Sequence, residues 1–236
     1  MTISDCNKVL LEEEKCVFCP TRDITLSACI KPGDFLRTYS SIYYKVIEKG
    51  SKLYGCDEEA RHIFILHDGI VKLKKHLPTG EQRIVRLLRK GDIVGIESVT
   101  VSCYQHDAIA MTAVSVCMIP ADLVFELSHK SSELNASLLN NWQRALLTSD
   151  TWLTKLSSGP SLYRVVWLLI WLSEIAPDEE FFMPGREDMG NMLALTTETV
   201  SRNIAGLRRD GDLELPGRDR ARIDIASLKR IVKDPV

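Results

Sequence analysis

No stretch of this chain is apolar for the roughly 20 residues that crossing a bilayer requires; the longest run, Val165–Leu172, is far too short. The N-terminus lacks the basic flank and apolar core of a secretory signal and carries Glu12-Glu13-Glu14 instead. The expectation is a cytoplasmic chain with no membrane partner, whose thiols stay reduced. Long internal repeats and low-complexity tracts are missing too. So is any global basic field: 30 Lys and Arg against 32 Asp and Glu leave a net charge of −2. Affinity for phosphate has to come from local clusters. Between Gly91 and His129 there is neither Lys nor Arg. An anionic ligand buried in that span would have no cation to offset its desolvation.

What is present begins with seven cysteines, an odd number that fits free thiols or metal ligands better than a disulfide framework. Four of them, Cys6, Cys16, Cys19 and Cys29, lie in a lead segment, residues 1–30. Residues 31–120 carry short apolar runs separated by turns. The runs Lys52–Tyr54, Ile63–Leu66, Ile70–Leu73, Ile84–Leu88, Ile93–Val94, Ala108–Met111 and Val114–Ile119 read as strands of an antiparallel sandwich or barrel. Asp68-Gly69 and Thr79-Gly80 are hairpin-turn candidates.

From Ala121 the periodicity becomes helical. Leu139, Trp142, Leu146, Ser149, Leu153 and Leu156 recur at alternating spacings of three and four, the seam of a coiled coil. Leu138, Ala145 and Trp152 form a second stripe beside it. One stripe can pack on the β domain while the other meets a second copy of the helix. Residues 121–158 are therefore expected to form a dimerisation helix. No carboxylate lies on the seam, so nothing in it suggests gating by charge repulsion. Ser157-Ser158-Gly159-Pro160 ends the helix, and residues 159–236 form the last domain.

In that domain Leu162–Ile175 reads as a core helix. A short helix then stops at Ala194, and Thr196-Thr197 restarts the chain. Gly190 keeps the first helix thin where the second crosses it, and Leu193 and Leu195 plug the angle between them. Val200, Ile204 and Leu207 give the second helix a buried face. Thr197, Glu198, Ser201, Arg202 and Asn203 make up its outer face. A carboxylate can accept from a cytosine amine, a hydroxyl bonds adaptably, and a guanidinium forks onto a guanine edge. Leu213–Leu215, the turn Pro216-Gly217-Arg218-Asp219 and Arg222–Ile225 read as a wing, with Arg218 and Arg220 placed to clamp phosphates. The pattern is a winged helix-turn-helix.

The order of β domain, long helix and winged helix-turn-helix resembles the CRP/FNR superfamily of bacterial transcription regulators over residues 47–236. Glu198-Thr199-Val200-Ser201-Arg202 is similar to the E-x-x-S-R reading motif of its FNR branch. The resemblance implies an α+β chain with an N-terminal antiparallel β jelly-roll (cyclic-nucleotide-binding-like) sensor domain. It implies a homodimer that binds double-stranded DNA, with Glu198, Ser201 and Arg202 reading half-sites of the TTGAT…ATCAA kind and RNA polymerase as a partner. Ala194 departs from the glycine the family often has in this turn. A left-handed alanine there costs about 1 kcal/mol.

Gly95-Ile96-Glu97-Ser98 resembles the first part of the family's cyclic-nucleotide phosphate site, but the Arg-Ser that follows it elsewhere has no counterpart, so a cyclic nucleotide is not expected. FNR-like oxygen sensors hold a [4Fe–4S] cluster with three N-terminal cysteines and one in the β domain. The resemblance assigns these roles to Cys16, Cys19, Cys29 and Cys117. The gap between Cys19 and Cys29 is longer than the family's usual spacing, and Cys6 competes as a ligand. Zinc in a four-thiolate site is chemically as good, and unliganded thiols, above all Cys56 and Cys103, are a third reading. A dithiol enzyme would need Cys16-x-x-Cys19 at a strand-to-helix junction of a βαβ unit. The antiparallel pattern that follows excludes it, and no enzymatic activity is expected.

Overall fold

Along Val71–His76 the residues alternate between buried and part-exposed, Val71 and Leu73 inward and Lys72 and Lys74 outward, the period of a half-buried strand. Other strands are covered on both faces. In His62–Asp68, Phe64 and Leu66 point into the β domain, while Ile63 and Ile65 pack under helices on its outer face. Such a strand reads as a continuous apolar run.

The computed structural model describes residues 9–10, 42–174, 176 and 179–233. Two antiparallel sheets face each other in the β domain. One runs β1 (Val9–Leu10), β2 (Tyr43–Ile47), β9 (Val114–Pro120), β4 (His62–Asp68) and β7 (Ile93–Val94). The other runs β3 (Lys52–Tyr54), β8 (Asp107–Ala110), β5 (Val71–His76) and β6 (Gln82–Leu88). Gly69 and Gly80 take φ of 87° and 86°, which the two Gly-centred turns between β4, β5 and β6 require. A 3-10 turn at Ile96–Val99, which the apolar runs did not announce, follows β7.

Helix α1 (Ala121–Lys130) lies on the outer face of the first sheet, and α2 (Ser132–Thr151) follows it. Ser131 breaks the two: its backbone turns extended and its hydroxyl accepts from the Leu134 amide at 3.2 Å, capping α2. Val124, Leu127, Leu134 and Leu138 complete a core with Ile63, Ile65, Cys117 and Ile119. Each such side chain contributes on the order of 1.5–3 kcal/mol. A π-helical turn, Trp152–Leu156, continues α2, with the Ser157 amide donating to the Trp152 carbonyl at 3.0 Å.

The chain forms two units, divided after Lys75, Arg86 and Leu146, so that His76–Arg86 groups with the residues from Leu147 onward. The second unit contains α3 (Ser161–Glu174), β10 (Phe181–Phe182), α4 (Arg186–Leu193), α5 (Thr197–Arg209), β11 (Leu213–Gly217), β12 (Arg220–Ile223) and α6 (Ile225–Ile231). Helix α3 is its core, with Val165, Val166, Leu168, Leu169, Ile170 and Leu172 all buried. The wing has three strands in the order β10-β12-β11. Phe181-Phe182 was too short a run to be read as a strand from the sequence.

Candidate nucleic-acid interface and thiol site

Helix α4 ends on Ala194 at φ 54°, ψ 46°, the left-handed conformation expected there, whose strain is about 1 kcal/mol. The Leu195 amide donates to the Gly190 carbonyl at 3.1 Å, closing the turn. A Cβ on Gly190 would lie 2.6 Å from the Leu195 oxygen, so only glycine lets the chain turn this tightly. Thr196 then caps α5 by accepting from the Thr199 amide at 3.2 Å. Arg164, on α3, donates from Nη1 to the Leu193 carbonyl at 2.8 Å. A guanidinium at the C-terminus of α4 satisfies a carbonyl the helix leaves over and suits its dipole. Sequence periodicity could not single out this arginine, because its partner lies 29 residues away.

Helix α5 is two-faced. Val200, Ile204 and Leu207 are buried, while Thr197, Glu198, Ser201 and Arg202 are exposed. Arg202 Nη2 and Glu198 Oε1 pair at 2.5 Å across one turn, and the Ser201 hydroxyl donates to the Thr197 carbonyl at 2.8 Å. Asn203, expected on the outer face, is half-buried and donates to the Ser161 hydroxyl at 3.1 Å, so it ties α5 to α3 instead.

On the wing, Arg218 and Arg220 are exposed around the β11–β12 turn, and Arg208 and Arg209 are exposed at the end of α5. Arg222 is not available in the same way: Glu180, Glu214 and Glu179 surround it at 3.0, 3.5 and 3.9 Å. Part of the acidic charge that balances this domain is thus concentrated on one arginine. Burial, and then the nearby Arg208 charge, lower the pKa of Arg186.

The helical seam splits. Leu139, Leu146 and Leu153, seven residues apart, are 62%, 65% and 67% exposed. Trp142 instead packs against the β-domain core beside Leu138. Leu156, expected on the same seam, is 2% exposed. The segment Trp152–Leu156 packs against α3, and Leu156 lies on the covered side. Trp152, buried with Leu156, meets the Trp171 ring edge-on at 6.2 Å. Lys155 sits over Trp167, 4.0 Å from its centroid.

In the β domain, the Gly95 turn abuts two stacked tyrosines, Tyr54 and Tyr104, whose rings are 3.6 Å apart. The Tyr104 hydroxyl donates to the His62 carbonyl at 2.6 Å, and burial pushes its pKa up to about 12. Asp107 opens β8 as a buried carboxylate that accepts from Lys52 Nζ at 3.1 Å and the Cys56 amide at 2.9 Å. Burial alone would raise its pKa. The Cys56 amide and the Lys52 ammonium outweigh that and hold it below the usual carboxylate value. Filled aromatic space and a buried anion both oppose a cyclic phosphate in this neighbourhood.

Cys117 is 8% exposed and lies on β9 with its sulfur on the outer, helix-covered face of the first sheet. His67 Nε2 lies 3.0 Å from that sulfur. Burial, and then the Lys90 charge, depress the pKa of His67, which favours its neutral form. The soft sulfur of Cys117, with an imidazole nitrogen beside it, suits it to ligate a thiophilic metal or cluster. Cys6, Cys16, Cys19 and Cys29 lie outside the described residues. Among the described residues no three His, Cys, Asp or Glu side chains come together as a metal site.

Comparison with known proteins assigns each part. Residues 44–131 match the cyclic nucleotide-binding domain family, and residues 163–231 match the Crp-like helix-turn-helix domain family. The chain is 26% identical to a fumarate and nitrate reduction regulatory protein of Vibrio cholerae, over 74% of this chain and 72% of that one. It is 25% identical to electron transport regulator A of Shewanella oneidensis, over the same shares. Among solved structures, FixK2 of Bradyrhizobium japonicum superposes with a TM-score of 0.75 at 22% identity, covering 83% of this chain and 99% of that one. A CRP-family transcriptional regulator of Thermus thermophilus superposes with a TM-score of 0.70 at 25% identity, covering 80% and 97%.

Proposed function

This chain belongs to the CRP/FNR superfamily of transcription regulators, and from that premise we propose that it reads a palindromic FNR-like operator as a homodimer under oxygen or redox control through an N-terminal [4Fe–4S] cluster. The two-faced helix α5 carries the reading. Its buried residues anchor it to α3 and α4, and its exposed Glu198, Ser201 and Arg202 form one row of groups matched to base edges. In the free chain Glu198 and Arg202 hold each other. An exposed pair of this kind is worth only about 0.3–0.5 kcal/mol, so exchanging it for cytosine and guanine contacts loses little. Arg218 and Arg220 on the wing would grip phosphate and set the register.

Three leucines in heptad spacing, exposed in the single chain, support pairing with a second copy. A two-fold pair presents α5 twice, which is what a symmetric operator demands. RNA polymerase enters as a partner through family resemblance.

Cys16, Cys19, Cys29 and Cys117 would hold the cluster, which when bound supplies an oxygen-labile tie among four thiolates. The register supports the reach. Val9 pairs with Tyr44 and Tyr44 with Cys117, two ladder steps of about 4.8 Å each. The stretch of chain from Leu10 to Cys16 is long enough to span about 20 Å. The names of the relatives, fumarate and nitrate reduction and electron transport regulators, point the same way.

Two measurements test the proposal. Arg202→Ala should weaken operator binding by about 1–3 kcal/mol and relax discrimination at one guanine per half-site. An equal loss on every DNA sequence would make Arg202 a phosphate anchor. Protein purified without oxygen should be brown and lose its colour when any of the four cysteines is replaced. Colourless protein, or protein carrying zinc, would overturn the cluster.

A further inference from the structure

We propose that His67 is a positioning residue that donates a hydrogen bond to the Cys117 sulfur and thereby slows loss of the cluster to oxygen, a role that rests on the cluster reading above. The β4–β9 ladder pairs Ile65 with Cys117, Leu66 with Val116 and Asp68 with Ser115, so one extra residue, His67, sits in a bulge. Bulges re-aim side chains and recur beside functional sites. Here the bulge carries the imidazole to within 3.0 Å of the sulfur. The backbone beside it is fixed: the Leu66 amide donates to the Asp92 carbonyl at 3.0 Å, and the Gly91 amide to the Leu66 carbonyl at 2.8 Å. Tyr44, the ladder partner of Cys117 on its other side, places its ring 6.0 Å from the imidazole centroid. The imidazole is thus held between β4 and β2, against the sulfur.

A ligating thiolate keeps lone pairs for a hydrogen bond in addition to its metal bond. An N–H directed at it withdraws electron density and stabilises the reduced, ligated state. Hydrogen bonds to ligating sulfurs are among the levers that set cluster potentials, and groups behind a ligand commonly change affinity or activity 10- to 100-fold. His67 in its Nε2–H tautomer meets that requirement toward Cys117, the expected ligand that β9 anchors within the sheet.

The test compares full-length wild type, His67→Phe and His67→Gln, all purified without oxygen, by the rate at which the visible chromophore bleaches after mixing with air-saturated buffer. His67→Phe, which removes the donor and keeps a ring, should bleach about tenfold faster. His67→Gln, which retains an N–H donor, should stay near wild type. Equal rates for wild type and His67→Phe overturn the role. A glutamine variant as fast as the phenylalanine variant also overturns it, because packing and not donation would then be the cause. A colourless wild type overturns the cluster reading and this role with it, whereas a brown wild type with an unchanged His67→Phe overturns this role alone.

Discussion

Replacing Gly190 by alanine tests the geometry of the reading turn directly. The new Cβ would start 2.6 Å from the Leu195 carbonyl oxygen, which is backbone and cannot swing away like a side chain. An ordinary contact begins at 3.4 Å, so α4 and the start of α5 must separate by several tenths of an ångström. That shift strains the 3.1 Å hydrogen bond from the Leu195 amide to Gly190. Overpacking of this sort costs roughly 1–3 kcal/mol, and a weakened hydrogen bond adds about 1 kcal/mol. Alanine returns about 1 kcal/mol through its better helix propensity. The net loss is therefore about 1–3 kcal/mol, and for a unit near 100 residues each kcal/mol lowers the melting temperature by about 4–8 °C. Calorimetry of the full chain should show the DNA-binding unit melting earlier, and gel shifts should show operator affinity falling with it, because α5 is displaced from α4. A variant that melts and binds like wild type would refute the close crossing.

The exposed heptad predicts an oligomerisation phenotype without a folding one. Leu146→Glu should leave the monomer's melting temperature unchanged, since the side chain is 65% exposed. It should weaken the proposed dimer by about 100-fold or more, because the two leucines it would bury, at about 1.5–3 kcal/mol each, are lost. Analytical ultracentrifugation reads the difference, and an unaltered dimer would move the interface elsewhere. Asp107 predicts a pH effect. Its carboxyl titrates below the usual value in the folded chain, so its charged contacts add stability at neutral pH and lose it as pH falls below about 4. Asp107→Asn should cost about 1–3 kcal/mol at neutral pH. Denaturation midpoints of wild type and variant should converge in acid; a constant gap would mean that the charge is not the source.

Much of the second unit was legible in the sequence because its determinants are local. Ala194 in a left-handed turn, the Thr196 cap, the Gly190 crossing and the buried row Val200, Ile204, Leu207 all follow from residues within one or two helical turns of each other. The β runs were legible for the same reason: alternation and turn glycines are short-range signals. Asn203 was read as an outward group, and a long-range partner, Ser161, redirected it; the three glutamates that engage Arg222 on the wing left no local pattern either. Nor does a three-four repeat record the packing of Trp152–Leu156 on α3, which takes Leu156 off the seam.

The sequence by itself determined which residue types line the reading helix, where the chain turns, and that no cation is available between Gly91 and His129 to hold a buried phosphate. Only the tertiary structure decided which side chains meet: the His67 imidazole on the Cys117 sulfur, Arg164 on the end of α4, and the tyrosine stack beneath the Gly95 turn. Local conformation depends on torsional and hydrogen-bond preferences within a few residues, which a linear pattern records. Contacts between groups 29 or 50 residues apart depend on register, bulges and helix phase, and a single extra residue in a strand or helix turn reassigns them.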